Sequence, residues 1–279
     1  MKKAILVVSF GTSHLDALKN SIEKIENRIR EEFKEYEVFR AFTAHMIIKK
    51  LKERDNINVL KPEEALEKLK NKGFEEVIIQ PLHIIPGEEF DYIKAIAAEF
   101  KDDFKIFKVG RPIFFYQGVD EVPKDYSAFI ESIKEVLHNE ESVVLFGHGT
   151  AHASNAAYGM LQTVLEDEDY DNVFVATVEG YPSIESCVKR MKKRGIKKTK
   201  LVPLLVVAGD HAKNDMASDE DDSMKSILQK EGIEVKVHLH GLGEIDKFGE
   251  LYINRIYDTI SGIYDNLGNT KKVRNIRKL

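Results

Sequence analysis

Short apolar segments alternate with longer amphipathic segments along the whole chain, and this alternation restricts the fold more than any other feature. The segments 5–8 and 201–207 are apolar throughout, which is typical of strands in a parallel sheet covered by helices on both faces. The predicted strands are residues 4–9, 37–41, 77–83, 105–109, 142–146, 172–178, 200–207 and 235–240. The predicted helices are residues 15–33, 62–72, 92–100, 126–138, 155–166, 184–194 and 216–230. The alternation predicts an α/β fold.

Two short patterns each occur twice, in the same order and each time after a predicted strand. The pattern Phe10-Gly-Thr-Ser-His14 returns as His148-Gly-Thr-Ala-His152, and residues 80–89 return as residues 202–211. The first offset is 138 residues and the second is 122, so the first half is expected to hold one extra helix, at 45–54. The repeat predicts two similar doubly wound lobes with parallel sheets.

The chain is therefore divided into an N-terminal lobe and a C-terminal lobe. The N-terminal lobe is expected to comprise residues 1–120 and the C-terminal lobe residues 121–244, with a linker near 117–124 that contains Gly118 and Pro123. A final helix over 245–264 is expected to pack back on the first lobe. Residues 265–279 are rich in Lys and Arg and are predicted to be a flexible tail.

Composition excludes several classes of protein. The chain carries 42 Lys and Arg against 47 Asp and Glu, a net charge of −5, so it lacks the basic surface that nucleic-acid binding requires. No stretch approaches the roughly 20 apolar residues of a membrane span. The seven-residue apolar run at 4–10 is interpreted as a first strand rather than a signal peptide. The single Cys187 excludes an internal disulfide and is interpreted as a packed thiol, which fits a cytoplasmic protein.

Three side chains that bind metals follow three consecutive strands of the second half. His148 follows the fifth strand, Glu179 the sixth and His211 the seventh. Ligands bind outside the carboxyl ends of strands in open α/β sheets, and an imidazole–carboxylate set suits Co²⁺, Ni²⁺, Fe²⁺ or Zn²⁺. Each residue alone is more often a capping or solvated residue than a metal ligand. Their joint placement favours a metal site, as does their asymmetry: the first repeat has Phe10 and Glu89 where the second has His148 and His211.

Competing motifs are weaker. The chain has no Gly-x-x-x-x-Gly-Lys-Ser/Thr segment for ATP. Phe146-Gly-His-Gly149 is similar to the Arg-His-Gly signature of histidine phosphatases, but Gly147 replaces the arginine that would bind phosphate. His14 and His152 are expected to begin helices or line the cleft. The acidic cluster between Asp215 and Asp222 is expected to form the first turns of a helix.

Two longer segments carry a resemblance to a known family. Residues 144–152, with Asn155 and Tyr158, and residues 203–216 resemble the active-site strand ends of the anaerobic class II cobalt chelatases. These ATP-independent enzymes insert cobalt into sirohydrochlorin during cobalamin synthesis. Residues 10–13, 40–43 and 81–89 are also similar to the family, so the resemblance extends from residue 3 to about residue 264.

The resemblance implies a chelatase-like fold of two lobes with an active-site cleft between them, and a set of site residues. His148 and His211 would be catalytic, and His148, Glu179 and His211 would bind the metal. The residues expected to line the cleft are Phe10, Gly11, Thr12, Glu89, Gly149, Thr150 and Lys213. Lys213 and Arg111 are candidate donors to the carboxylates of the substrate.

The implied partners are a divalent metal and a tetrapyrrole, either sirohydrochlorin or precorrin-2, and neither nucleic acid nor a membrane is expected. No cofactor is implied beyond the substrate metal. That metal is Co²⁺, with Ni²⁺ and Fe²⁺ as alternatives. One histidine would accept a pyrrole proton as the metal transfers. Open alternatives are an iron or nickel chelatase acting on a related tetrapyrrole and a non-catalytic carrier of metal or tetrapyrrole. The oligomeric state also stays open, a homo-oligomer included.

Overall fold

The computed structural model describes residues 1–119, 122–138 and 140–265. Within these residues eight strands form two parallel sheets of four, with strand orders β2-β1-β3-β4 and β6-β5-β7-β8. The strands are β1 (Lys3–Ser9), β2 (Glu37–Phe42), β3 (Glu76–Pro81), β4 (Ile106–Val109), β5 (Val143–Gly147), β6 (Val173–Thr177), β7 (Lys198–Pro203) and β8 (Glu234–Val237). We call the first sheet with its helices the first lobe and the second sheet with its helices the second lobe.

Helices connect the strands and cover the sheets. The α-helices of the described residues are α1 (Leu15–Ala17), α2 (Lys24–Glu32), α3 (His45–Asp55), α4 (Pro62–Asn71), α5 (Glu88–Phe100), α6 (Asp125–Ser132), α7 (Lys134–Leu137), α8 (Ala156–Asp167), α9 (Ile184–Lys193), α10 (Met224–Lys230) and α11 (Asp246–Ser261). Leu18–Glu23 and Ala212–Met216 are π-helical, and Ala153–Asn155 and Leu242–Glu244 form 3-10 turns.

The predicted fold class is confirmed, and the internal repeat is visible in the topology. Each sheet has the same order of first, second, third and fourth strand, with the first strand paired to the second and third. The second and third strands of the first lobe are separated by α3 and α4, whereas those of the second lobe are separated by α9 alone. The extra helix expected at 45–54 is therefore α3, and it accounts for the difference between the two offsets.

Three predicted boundaries in the second lobe are wrong by three residues or more. The eighth strand ends at Val237 rather than at residue 240. The seventh strand ends at Pro203 rather than at residue 207, because the backbone carbonyls of Leu205 and Val206 accept hydrogen bonds from the 242–243 turn instead of from a strand. The helix expected at 216–230 begins only at Met224, where the Ser223 hydroxyl caps it by accepting from the Ser226 amide. The acidic cluster consequently precedes this helix rather than forming its first turns.

The two sheets share one hydrophobic cluster. It includes Ile5 of β1 and Leu145 of β5. It also contains Phe129 of α6 and Phe248 of α11, whose ring centroids are 6.1 Å apart. Because apolar side chains from both lobes pack in one cluster, burial of apolar surface holds the lobes together.

The last helix, α11, packs on elements of the first lobe. The Tyr252 hydroxyl donates to the Leu82 carbonyl just after β3, and Arg28 of α2 pairs with Asp246 and Glu250. The division of the chain at 120/121 falls on residues outside the described part and stays a prediction. Residues 266–279 of the basic tail also lie outside it. Within the part of the chain that the structure describes, no helix combines the length and apolar character needed to cross a bilayer.

Candidate active site

The rings of His148 and His211 contact each other at the carboxyl ends of neighbouring strands. His148 directly follows β5, and His211 lies in the segment that follows β7. Since β5 and β7 are paired and parallel, these ends lie at the same edge of the sheet. The two ring centroids are 4.3 Å apart and the ring planes are inclined by 84°. The fold thus brings together the two imidazoles that the sequence analysis selected.

Hydrogen bonds orient both rings in the same way. His148 Nδ1 lies 2.9 Å from the Gly149 carbonyl oxygen, and His211 Nδ1 lies 2.6 Å from Asp215 Oδ2. Carbonyl and carboxylate oxygens only accept, so Nδ1 donates in each case. In the neutral imidazoles the lone pair is then on Nε2, the atom available to bind a metal or accept a proton.

The backbone of Glu179 lies beside the backbone of His148. Its amide donates to the His148 carbonyl oxygen over 2.8 Å. This approach requires glycine at 149, where φ is +84° and a Cβ would lie 2.7 Å from the Glu179 carbonyl carbon. The Glu179 side chain is exposed. Among the described residues no three His, Cys, Asp or Glu side chains are arranged to hold a metal, so the role of Glu179 as third ligand stays a prediction.

The turns after β1 and β5 have the same construction. Thr12 Oγ1 accepts from the His14 amide over 3.1 Å, and Thr150 Oγ1 accepts from the His152 amide over 3.0 Å. Gly11 has φ of +95°, and a Cβ there would lie 2.5 Å from the Phe42 ring. The threonine hydroxyls therefore stabilise the turns. That Thr12 and Thr150 also contact a ligand stays a prediction.

Two other cleft candidates have exposed or partly exposed side chains. Phe10 is 48% exposed at the end of β1, where an apolar ring in contact with water can pack against a flat apolar ligand. Glu89 is partly exposed in the first turn of α5. A contact of either residue with a ligand remains an expectation.

His14 and His152 begin helices, as expected, but they also connect the two lobes. Each is the residue before the first helical turn. His14 Nε2 lies 2.8 Å from Asp210 Oδ1, and His152 Nε2 lies 3.2 Å from Asp91 Oδ2. The hydrogen bond from His14 lowers the pKa of Asp210. The repeat places the two histidines at equivalent positions, but no signal in the sequence indicates their partners.

The prediction that Arg111 contacts the substrate is wrong. Its guanidinium is buried and pairs with Asp125 over 3.3 Å and with Asp258 over 2.8 Å. It therefore joins the segment after β4 to α6 and α11. The Lys213 ammonium donates to His14 Nδ1 over 3.1 Å, and its predicted role in the cleft stays a prediction.

Cys187 and His83 are two buried titratable groups, of which only Cys187 was predicted to be buried. Cys187 lies in α9 and burial raises its pKa to about 12, in agreement with a packed thiol. His83 follows β3 and has no role predicted from the sequence. The residue is partly exposed as a whole, but both ring nitrogens are buried and have no hydrogen-bond partner among the described residues. Burial lowers the pKa of His83 to about 4.

The low pKa of His83 predicts a loss of stability in mild acid. In the unfolded chain an imidazole titrates near pH 6.5, so unfolding takes up a proton between about pH 6.5 and pH 4. The stability is complete above this range and falls as the pH is lowered through it. The free energy of unfolding of the wild type is expected to fall between pH 7 and about pH 4.5. In His83→Leu this fall should be smaller by about 2 to 3 kcal/mol.

Urea unfolding of both proteins at the two pH values measures this difference. His138→Leu is the control, because His138 is exposed at the end of α7. An equal drop in the wild type and in His83→Leu would show that His83 is not the group responsible.

The chain is similar to known proteins along nearly its whole length. The chain matches the family Cobalt chelatase (CbiK) over residues 3–261. It is 35% identical to a sirohydrochlorin cobaltochelatase of Salmonella typhimurium, covering 94% of this chain and 97% of that protein. It is 29% identical to the sirohydrochlorin cobaltochelatase CbiKC of Nitratidesulfovibrio vulgaris, covering 95% of this chain and 93% of that protein.

Solved structures support the fold. SirB from Bacillus subtilis with Fe³⁺ superposes with a TM-score of 0.60 at 15% identity, covering 95% of this chain and 98% of that chain. CbiX, described as the terminal enzyme for siroheme biosynthesis in denitrifying bacteria, superposes with a TM-score of 0.54 at 14% identity, covering 91% of this chain and 98% of that chain. The chain belongs to the cobalt chelatase family and is a metal-inserting enzyme.

Proposed function

We propose that this enzyme inserts Co²⁺ into sirohydrochlorin or precorrin-2 without ATP, as a cytoplasmic step of anaerobic cobalamin synthesis. The observation that carries the proposal is the pair of contacting imidazoles, His148 and His211, each with Nδ1 donating and Nε2 available. Relatives that align over nearly the whole chain are named sirohydrochlorin cobaltochelatases, which supports the choice of substrate.

His148 and His211 would hold the entering metal through Nε2, and Glu179 would be the third ligand. Neutral imidazoles bind Co²⁺ without cancelling its charge, and one carboxylate offsets part of that charge. The exposed Glu179 side chain would complete the set by rotating about its own bonds, since its backbone already lies beside His148. Three protein ligands leave coordination positions for the ring nitrogens.

Insertion exchanges one metal ion for two pyrrole protons. As Co²⁺ passes to the ring nitrogens, the Nε2 atom that it leaves has a free lone pair and accepts one of these protons. Asp215, which accepts from His211 Nδ1 over 2.6 Å, would stabilise the imidazolium that forms there. The second proton would leave through the other imidazole or through water.

Anaerobic incubation with Co²⁺ and sirohydrochlorin tests the proposal, with the protein at a tenth of the substrate concentration or less. We expect the visible spectrum to convert completely to that of the cobalt complex, without ATP and over many turnovers. Conversion of only one equivalent per protein would indicate a carrier and would contradict the proposal. Parallel assays with Ni²⁺ and Fe²⁺ rank the metals, and faster insertion of either one would overturn the assignment to cobalt.

A further inference from the structure

The two lobes contact each other through two equivalent pairs of loops. The loop after β1 meets the segment 209–213: a Cβ at Gly209 would lie 3.7 Å from Thr12 Oγ1, an ordinary van der Waals contact. The loop after β5 meets the segment 87–91, where a Cβ at Gly87 would lie 3.4 Å from Ser154 Oγ. Gly87 and Gly209 occupy equivalent positions in the repeat, 122 residues apart. The contacts thus follow the internal symmetry.

The two histidines at these contacts use their ring nitrogens differently. His14 uses both across the boundary: Nε2 donates to Asp210 over 2.8 Å, and Nδ1 accepts from Lys213 over 3.1 Å. His152 Nδ1 accepts from the Ser154 amide in its own loop, so only Nε2 reaches the other lobe, at Asp91. The His14 side chain therefore makes two contacts with the opposite lobe, whereas the His152 side chain makes one.

The two residues that His14 binds lie on either side of His211 in the chain. Asp210 precedes His211 and Lys213 follows it by two positions. The His211 side chain is itself 44% exposed, so packing alone does not fix it. Within its own lobe the ring is held by Asp215, and the backbone that carries it is held from the other lobe by His14.

We propose that His14 is a positioning residue that keeps His211 in contact with His148 by holding the segment 209–213 from the first lobe. The proposal rests on the proposed metal site. Without His14 the two flanking anchors are lost, and the segment samples more conformations. The two Nε2 atoms then face a shared metal for a smaller fraction of the time, which weakens metal binding.

Titration of the protein with Co²⁺ alone, followed by its visible absorption, measures the effect. We expect His14→Ala to weaken Co²⁺ binding about 10- to 100-fold, the range found for residues that orient metal ligands. His14→Gln, whose amide can both donate and accept, is expected to recover part of this loss. His138→Ala, which changes an exposed histidine directly after α7, should bind Co²⁺ like the wild type.

Unchanged Co²⁺ affinity of His14→Ala together with a raised KM for sirohydrochlorin would overturn the proposal, because His14 would then contact the tetrapyrrole. If His14→Ala does not fold, Lys213→Met removes one of the two contacts, and unchanged Co²⁺ affinity in that variant would equally overturn it. His148→Ala separates the two proposals. If it abolishes Co²⁺ binding while His14→Ala does not weaken it, only the positioning role fails. If His148→Ala binds Co²⁺ normally, the proposed metal site fails.

Discussion

Replacing His148 or His211 by alanine is expected to slow cobalt insertion at pH 7 by more than about 100-fold. Each substitution removes one of two contacting imidazoles whose Nε2 atoms are oriented by hydrogen bonds. Loss of a residue that merely orients a ligand already costs about 10- to 100-fold, so loss of the ligand itself should cost more. Both side chains are only partly buried at strand ends, and the thermal midpoint of unfolding should therefore change little.

The initial rate of the change in the visible spectrum measures this effect. His240→Ala is the matched control, since His240 pairs with Glu244 four residues later over 2.9 Å, in the same arrangement as His211 and Asp215. The control should retain the wild-type rate. A near-wild-type rate in either active-site variant would remove that residue from the mechanism.

The largest effect on stability is expected for Asp125→Ala. Asp125 is 1% exposed and pairs with Arg255 over 2.7 Å and with Arg111 over 3.3 Å. It also accepts from the Tyr116 amide over 2.9 Å. Removing it leaves two buried guanidinium groups with Asp258 as the remaining carboxylate beside Arg111. Breaking a buried ion pair in this way costs about 3 to 5 kcal/mol.

Urea unfolding at pH 7 tests this expectation. Glu131→Ala on the same helix is the control, because Glu131 pairs with Lys134 on the surface and its side chain is 63% exposed. A surface pair of this kind contributes about 0 to 1 kcal/mol. If Asp125→Ala were no more destabilising than the control, the network around Asp125 would not hold α6 and α11 against the first lobe.

The elements and the repeat were predictable because they depend on local pattern. The eight strands of the described residues lie where the apolar segments predicted them, and α3 is the helix that the two offsets required. The proximity of His148 and His211 also followed, since the residues after neighbouring parallel strands must share one edge of the sheet. The errors at β7 and α10 arise where a segment is hydrogen-bonded or capped by partners that no periodicity records.

The sequence by itself determined the two parallel sheets, the internal repeat and the sheet edge at which the imidazoles lie, because periodicity and strand order are properties of nearby residues. Only the tertiary structure decided that Arg111 is an internal ion-pair residue and that His14 reaches Asp210 and Lys213. It also decided that the His83 nitrogens are buried without a hydrogen-bond partner among the residues that the structure describes. These properties depend on which residues, far apart in the chain, fill the space around each side chain. Burial and charge pairing are set by that surrounding packing, and the identity of a residue alone does not reveal it.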